Sequence, residues 1–457
     1  MLANLAEPMS GNPDPTGLEP ETVEPRAPPI TETQIRQTMR LSVLEGIPGI
    51  CFLVGTGGSV LTGFALYLGA TPFQIGLISS VPLLGQLLSP LVAWLAGQLG
   101  RRKPLTVILA VMGRVIWFPA LILPALSPPE IRPILLLGVI TLSSMFNSSA
   151  VVLWVSWMAD VIPLKERGQF MGFRNGFLGV IGMGASLAAG AYLDRIASPT
   201  DFQTVLGLAT LLGIASALML SGQTEPRISQ ARSNLKTTLI EPFADQNFRR
   251  LLLFSSYWTF AVLIATPFVI PYLLKPLEMS YTQVAILGVI GAVSALVFGP
   301  VWGRIVDRAG GKPVLTLNTI IAGTLLPASW MLASPGWLWP IWVSGVIDAF
   351  VNTSTGQASF NLLLSSTPQA NRTGYVAVFF AVTGLLGFIG GLLSGPLFEL
   401  FSSPTLNFTV FNLDWTAYHW LFLISALLRL QAWRFLKPIR EDAAWSLREM
   451  LARKVFE

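Results

Sequence analysis

The sequence predicts an all-α integral membrane protein whose twelve transmembrane helices form two six-helix bundles. Three observations support this prediction. First, 52% of the 457 residues are hydrophobic and only 12% are charged, whereas soluble domains carry roughly 25% charged residues. Second, several apolar runs are long enough to cross a hydrocarbon core, which takes about 20 helical residues. Third, the second half of the chain repeats landmarks of the first half.

Composition excludes several classes of function. Cys51 is the only cysteine and His419 the only histidine, so the chain has neither a disulfide framework nor a cysteine or histidine cluster for a metal. We expect no cofactor and no metal. The net charge of +5 is typical of basic loops beside a membrane and does not indicate a nucleic-acid partner. No P-loop, HExxH or GxSxG motif stands in a plausible context, so an enzyme is not expected.

Composition also divides the chain into five segments. Residues 1–35 alternate proline with acidic residues and hold few large apolar side chains, so they predict a disordered cytoplasmic tail. An N-terminal bundle follows over 36–222. The long polar stretch 223–250 predicts a cytoplasmic linker to a C-terminal bundle over 251–437. Residues 438–457 then predict an amphipathic cytoplasmic tail.

Within each bundle, prolines, glycines and charge clusters delimit six apolar segments of transmembrane length. The predicted spans are 42–68, 72–96, 104–126, 134–158, 171–194 and 203–221 in the first half, and 251–274, 280–302, 313–334, 338–364, 374–400 and 415–436 in the second.

The lysines and arginines predict the orientation. With the N-terminus inside, nearly all of the 29 cationic residues fall in inner segments, and only Arg132, Arg195 and Lys275 lie in outer loops. Arg114 and Arg429 fall within spans. Because cytoplasmic loops carry the excess of cations, both termini are predicted to be cytoplasmic.

The C-terminal tail shows a helical pattern of its own. Leu447, Leu451 and Val455 share one face, and Arg448 and Arg453 are available to anionic headgroups. This pattern predicts a helix that lies at the membrane surface, with membrane lipids as its partner.

The repeat is visible in several separate landmarks. The stretch "GRIVDRAGGK" (303–312) has a looser copy, "AWLAGQLGRR" (93–102), earlier in the chain. "FNSSA" (146–150) aligns with "VNTST" (351–355), and the same offset places Gly190 on Gly395. Because independent landmarks agree in order and spacing, the two halves predict a parallel repeat of six spans each.

With these motifs the chain, over roughly 36–437, resembles the major facilitator superfamily of secondary transporters. The loop signature of that family runs Gly-x-Leu-Ala-Asp-Arg-x-Gly-Arg-Lys. The second hinge, 303–312, matches it at Gly303, Asp307, Arg308, Gly310 and Lys312. The first hinge, 93–102, matches at Leu95, Ala96, Gly100, Arg101 and Arg102, but has Ala93 and Gly97 where the family has glycine and the acid.

The resemblance implies a role for both hinges. In this fold two bundles rock about a site near the membrane midplane. The hinge residues Gly303, Asp307, Arg308 and Lys312, with Arg101 and Arg102, are therefore expected to form a gating loop that latches to the neighbouring bundle. The glycines of 176–190 and 384–395 allow close helix contact where the bundles meet. The alternative is that the hinge cations only fix the topology.

A longer stretch refines the resemblance. "WVSWMADVIPLKERGQFMGFRN" (154–175) is similar to a form common among bacterial members with no assigned substrate. It implies a multi-pass protein of the bacterial inner membrane. Family drug exporters carry an arginine in the fourth helix and a Gly-Pro motif in the fifth, and this chain has neither.

The family's cavity is lined by the first and fourth helices of each half, which here implies residues on four spans. On the fourth span Ser143, Asn147 and Trp154 share a face. The repeat maps this face onto Asp348, Asn352 and Thr355 of the tenth span, and Tyr257 is a further candidate on the seventh. We expect these residues to bind a small-molecule substrate. The alternative is that the asparagine pair only ties helices together.

Asp348 is the strongest single candidate, because an acid deep within a span is costly and by default functional. It either exchanges a proton or binds a cationic group. The alternative is a structural ion pair with Arg114 or Arg429. For Arg114 itself, Glu45 is the expected partner.

The predicted function is secondary transport of a small solute by alternating access, with protons as the coupling ion suggested by Asp348. The alternative is a non-transporting sensor, or an assembly factor for pigments or lipids, built on the same fold.

Overall fold

The computed structural model describes residues 30–196, 198–226, 239–367, 372–410, 413–441 and 444–452. Most of the predicted tail 1–35, the centre of the linker 223–250 and the end of the C-terminal tail lie outside these residues. The described part is almost entirely helical. The predicted all-α membrane fold with two helical bundles is confirmed, and ten of the twelve predicted spans meet length and hydropathy criteria for crossing a membrane within the described residues.

In the N-terminal bundle the spans are numbered 1 to 6 in chain order. Their helices are Glu32–Gly55 and Gly58–Tyr67 (span 1), Pro72–Leu84 and Ser89–Leu99 joined by a 3-10 turn at Gly85–Leu88 (span 2), Lys103–Val115 and Phe118–Leu126 (span 3), Arg132–Val161 (span 4), Leu164–Ile196 (span 5), and Pro199–Met219 with the 3-10 turn Leu220–Gly222 (span 6).

In the C-terminal bundle the spans are numbered 7 to 12. Their helices are Gln246–Leu263 and Thr266–Leu274 (span 7), Tyr281–Ala309 (span 8), Gly311–Gly323 and Leu325–Met331 (span 9), Trp339–Ser365 (span 10), Arg372–Phe401 (span 11), and Ala417–Gln431 and Trp433–Leu436 (span 12). Short 3-10 helices lie at Glu241–Ala244 and Pro404–Leu406, and a last helix covers Leu447–Ala452.

Within the described residues, a small β-hairpin is the exception to the all-α prediction. Phe408–Val410 pairs antiparallel with Leu413–Trp415 in the loop between spans 11 and 12. We call the side of the molecule with this loop the far side. The opposite side, which carries the hinges 93–102 and 303–312 and both ends of the described chain, is the tail side.

Proline accounts for three interrupted spans. Helices end at Val115, Leu263 and Gly323, and each of these residues stands four positions before a proline, namely Pro119, Pro267 and Pro327. A proline ring clashes with the carbonyl four residues earlier and cannot donate to it. Spans 3, 7 and 9, which the sequence predicted as continuous, are therefore broken at these points.

The first span begins earlier than its apolar residues indicated. Its helix starts at Glu32, where the Thr31 side chain accepts a hydrogen bond from the Gln34 backbone and the Gln34 side chain caps Thr31 in return. This capping box satisfies backbone groups at the helix start without apolar residues. The polar turns that follow pack against span 5 through Arg36, which pairs with Glu166 at 2.7 Å.

The C-terminal helix packs on the bundle through a different face from the one predicted. Met450 is buried in the core of the C-terminal bundle and Leu447 packs beside it, while Leu451 is exposed. The preceding Trp445 donates its backbone N–H to the carbonyl of Ala309, at the end of span 8, over 2.9 Å. This tail is thus attached to the second hinge. Val455 lies outside the described residues.

The two bundles meet mainly along two pairs of spans, 5 with 8 and 2 with 11. On the far side their approach requires glycine. A Cβ on Gly190 would lie 2.9 Å from the carbonyl oxygen of Tyr281, and one on Gly395 would lie 2.8 Å from the nitrogen of Phe73. The predicted repeat pair Gly190 and Gly395 therefore occupies equivalent positions, each against the first turn of a helix in the other bundle.

Towards the tail side this contact is lost. On span 5, a Cβ added to Gly172, Gly176 or Gly179 would meet nothing within 4 Å. Span 4 packs mainly against spans 2 and 3, and span 10 against spans 8 and 9, all within their own bundle. The space between spans 4 and 10 therefore opens towards the tail side.

These contacts predict opposite effects for two glycine substitutions. Gly395→Ala should lower the free energy of unfolding by about 1–3 kcal/mol, because its methyl group has no room against Phe73. Gly179→Ala, on an uncrowded face, should raise it by up to about 1 kcal/mol, since alanine loses less conformational entropy in a helix. The unfolding temperatures of the detergent-purified variants measure both. Equal shifts of the unfolding temperature in Gly395→Ala and Gly179→Ala would contradict the conclusion that the bundles touch on the far side only.

Candidate functional site

Span 10 presents the exposed part of the candidate site. Asp348 and Asn352 lie one helical turn apart, and both side chains are exposed although they stand in the middle of a span. The Asn352 amide lies within electrostatic range of the Asp348 carboxylate. Chemically, this pair presents a carboxylate and an amide on the exposed face of span 10.

Arg429 of span 12 lies behind Asp348. Its side chain is 2% exposed and interacts electrostatically with Asp348, but no ion pair within 4 Å joins these two residues. The guanidinium lies over the Trp330 ring, 5.7 Å from its centroid, and donates to the carbonyl of Ala322 over 3.3 Å. Asp348 thus has a cation nearby and keeps its carboxylate accessible.

Thr355 lies on the side of span 10 that contacts span 9. The Asn318 amide donates to the Thr355 hydroxyl over 3.0 Å and to the Ser354 hydroxyl over 2.8 Å. Asn318 is buried. Thr355 is therefore placed at the boundary between the exposed face of span 10 and its packing with span 9.

The equivalent residues of span 4 make contacts within their bundle. Ser143 is buried, donates to the Gly113 carbonyl over 2.7 Å and accepts from Trp117 Nε1 over 2.8 Å. Asn147 is half-buried, donates to the Gly113 carbonyl over 3.2 Å and accepts from Arg114 over 3.0 Å. Both residues therefore tie span 4 to span 3. Asn147 and Asn352 align in the repeat but face different surroundings.

A buried ion pair lies next to Trp154. Arg174 of span 5 donates to Glu45 of span 1 over 3.0 Å, and its guanidinium stacks 4.5 Å from the centroid of the Trp154 ring. The second oxygen of Glu45 accepts from Ser216 of span 6 over 3.1 Å. The expected pair of Glu45 with Arg114 is thus replaced by one with Arg174, while Arg114 remains within electrostatic range of Glu45.

Tyr257 of span 7 is half-buried and packs against Phe435 of span 12, with 4.5 Å between ring centroids. Its surroundings are largely apolar. The structure therefore brings Asp348, Asn352 and Thr355 together on span 10, and places Ser143, Asn147 and Trp154 in the polar interior of the N-terminal bundle.

The second hinge is bound to the tail of its own bundle. Glu441 accepts the backbone N–H groups of Gly311 and Lys312, each over 2.8 Å, and the Lys312 ammonium donates to the carbonyls of Lys437 and Ile439. Asp307 and Arg308 are exposed, and their side chains make no hydrogen bond within the described ranges. Gly303 continues the helix of span 8, which ends at Ala309.

The first hinge repeats this arrangement. Glu225, which follows span 6, accepts the backbone N–H groups of Arg102 and Lys103, and the Lys103 ammonium donates to the carbonyl of Gln223 over 2.8 Å. The Arg102 side chain pairs with Asp160 of span 4, and Arg101 is exposed. The acids Glu225 and Glu441 were missed from the sequence, although each follows the sixth span of its half.

Both bundles match the model of one protein family. The model of the Major Facilitator Superfamily matches residues 49–391 and 251–452, which include both hinges and both bundles. This chain belongs to the major facilitator superfamily. The resemblance carried by the hinge motifs is thereby confirmed.

Individual members are more distant. The tetracycline resistance protein, class H, of Pasteurella multocida is 28% identical over 147 residues, which are 32% of this chain and 34% of that protein. The match thus spans about a third of the length of this superfamily relative. A mutant of nucleoside transporter NupG superposes with a TM-score of 0.70 at 15% identity, over 89% of this chain and 100% of that chain. The D-xylose-proton symporter gives a TM-score of 0.67 at 15% identity, over 90% and 99% of the two chains.

These findings establish a multi-pass membrane protein of a transporter family. The solved structures share the fold of this superfamily member, and the two named here are transporters by their titles. An enzymatic role does not fit this family.

The buried ion pair yields a test of the N-terminal bundle. Arg174→Met should lower the free energy of unfolding by about 3–5 kcal/mol, because it leaves the Glu45 carboxylate buried without its cation. Arg36→Met removes an exposed pair and should cost less than about 1 kcal/mol. Thermal unfolding of both purified variants distinguishes the two cases. Equally small losses would mean that Arg174 is not needed to hold Glu45 in the bundle.

Proposed function

We propose that this protein is a secondary transporter that moves a small solute across the membrane by alternating access. The observation that carries the proposal is the one-sided contact of the bundles. They touch on the far side through Gly190 and Gly395, while Asp348 and Asn352 remain exposed in mid-span. A solute entering from the tail side reaches this pair without crossing the far-side contact.

In this proposal, the opposite state closes the tail side and opens the far side. The two hinges are the parts that would meet on closure. In the present state Asp307 and Arg308 are exposed and the described bonds of both hinges stay within their own bundles. The charged side chains are therefore available to latch across the gap, which is a bistable element of the kind that switches access.

For the solute, the exposed Asp348 and Asn352 favour a polar molecule with hydrogen-bond donors or a cationic group. A carboxylate at this depth is costly unless it has a function. We also propose that Asp348 couples transport to protons, by releasing its proton to one side and taking it up from the other. The D-xylose-proton symporter, which shares the fold, is named for coupling of this kind.

We place the protein in the bacterial cytoplasmic membrane with the tail side in the cytoplasm. The distribution of lysine and arginine supports this orientation, because cytoplasmic loops carry the excess of cations. In the far-side loops the cations are Arg132, Arg195 and Lys275. The present state is then open to the cytoplasm.

Ligand binding tests the site on span 10. A panel of sugars, nucleosides, organic cations and tetracycline is added to the detergent-purified protein, and unfolding is followed on heating. A solute at a hundredfold excess over its dissociation constant should stabilise the protein by about 2.7 kcal/mol. Asp348→Asn and Asn352→Ala should abolish the gain, because they remove the charge and the amide that bind the solute. The control Asp307→Asn should retain it.

Two outcomes count against this site. One is a blank panel with well-folded protein, and the other is a stabilising solute that is indifferent to both changes. A blank panel would favour a non-transporting sensor or assembly factor.

A substitution in the second hinge distinguishes solute binding from the transport movement. Asp307→Asn should keep the ligand-induced stabilisation of the native protein and lower the initial rate of solute uptake into proteoliposomes by about tenfold, because only the tail-closed state loses a contact. That factor corresponds to about 1.4 kcal/mol. Asp160→Asn, which changes an acid bound within its own bundle, provides the matched control for a lost charge at a hinge. An unchanged rate for Asp307→Asn would contradict the gating role.

A further inference from the structure

Asp194 makes the hydrogen bonds that link the two bundles. It stands at the far-side end of span 5, in the N-terminal bundle. Its carboxylate accepts the backbone N–H of Tyr281 over 2.7 Å and that of Thr282 over 2.9 Å. These two residues begin span 8, in the C-terminal bundle. Across the described ranges, no other hydrogen bond joins one bundle to the other.

The start of span 8 depends on both bundles for its hydrogen bonds. The first N–H groups of a helix have no partner within the helix. Here Ser280 and Gln283 satisfy each other's backbone N–H groups in a capping box, which leaves the N–H groups of Tyr281 and Thr282. Asp194 accepts both. A carboxylate at this end of a helix also interacts favourably with the helix dipole, and hydrogen bonds to an ionised acceptor are stronger than neutral ones.

Tyr281 holds this contact in position. Its ring packs edge-to-face on Phe202 of span 6, with 6.0 Å between centroids, and it lies so close to Gly63 of span 1 that a Cβ there would be 2.6 Å from the ring. Its carbonyl lies against Gly190, one turn before Asp194. The first turn of span 8 is thus seated in a recess of the N-terminal bundle that Asp194 closes.

The equivalent contact in the other pair of spans lacks the latch. Gly395 lies against the start of span 2 as Gly190 lies against span 8, and Glu399 stands one turn after it, in the position of Asp194. However, span 2 begins with Pro72, which has no N–H to donate. Glu399 is exposed, and its carboxylate forms no hydrogen bond to any described residue. The repeat therefore leaves a single charged latch at the far side.

We propose that Asp194 is the far-side gate latch, and that releasing its carboxylate from the first turn of span 8 is the step that lets the far side open. The inference rests on the proposed alternating-access function, and it identifies the contact that sets the balance between the two states. Because the carboxylate bonds to span 8 only while the bundles touch, it stabilises one state and not the other. Removing it shifts the populations.

Distance measurements test the latch without a substrate. Spin labels are placed at Glu130→Cys and Ser402→Cys, two exposed far-side positions of different bundles, in the full chain with Cys51→Ser. The wild-type background should give mainly the short distance of the closed far side. Asp194→Ala should raise the ratio of far-open to far-closed molecules about fivefold, as expected for loss of a helix cap. Asp194→Asn should give a smaller shift.

Matched controls isolate the contact between bundles. Asp201→Asn changes an acid that caps its own span 6 through Ser198, and Glu399→Gln changes the repeat counterpart. Both should leave the distances unchanged. Gly391→Trp acts as a wedge, because Gly391 packs against Ser80 of the other bundle, and it should open the far side whether or not Asp194 acts as a latch.

Each possible result of the distance measurements either supports or contradicts the proposed latch. If the wedge opens the far side and Asp194→Ala does not, Asp194 is not the latch and alternating access still stands. If Asp194→Ala and its controls shift the distances equally, the effect is general loosening and the latch is again overturned. If no variant, including the wedge, changes the distances, the two-state movement fails and the latch fails with it.

Discussion

The backbone contact between the bundles on the far side is the constraint on which the rest of the structure depends. At Gly190 and Gly395 a helix of one bundle lies directly against the first turn of a helix in the other, so no side chain fits between them. Because this contact is made at one side of the membrane only, the space between spans 4 and 10 must open to the other. Asp348 and Asn352, which are exposed in mid-span, belong to span 10.

Much of the fold could be predicted because a membrane imposes simple rules on sequence. Apolar length marks the spans, and the repeat marks the two bundles, down to the equivalence of Gly190 and Gly395. Helix boundaries were less predictable where polar residues form helix. The first helix begins at Glu32, although the capping-box residues Thr31 and Gln34 are recognisable in the sequence. The breaks in spans 3, 7 and 9 were missed although each stands four residues before a proline.

The candidate site was less predictable, because its contacts join residues far apart in sequence. The sequence identifies an acid within a span, but it does not say which cation faces it. Glu45 illustrates this point, since its partner is Arg174 of span 5 and not Arg114. The repeat aligns Asn147 with Asn352, but it does not predict their partners. Arg114 binds the first amide, and the second is exposed near Asp348.

These contacts suggest how the molecule divides into moving parts. The N-terminal bundle is tied internally by Glu45, Arg174 and Asn147, and each hinge is bound to the tail of its own bundle through Glu225 or Glu441. In the proposed alternating-access movement, bonds of this kind do not need to break when the bundles rotate against each other. The energy that would distinguish the two proposed states then resides in the few contacts that cross between the bundles. On the far side those contacts include the glycine packing, the Tyr281 ring against Phe202 and the carboxylate of Asp194. Of these, only the carboxylate carries a charge, so in the proposed movement it is the far-side contact on which a nearby cation or proton would act directly.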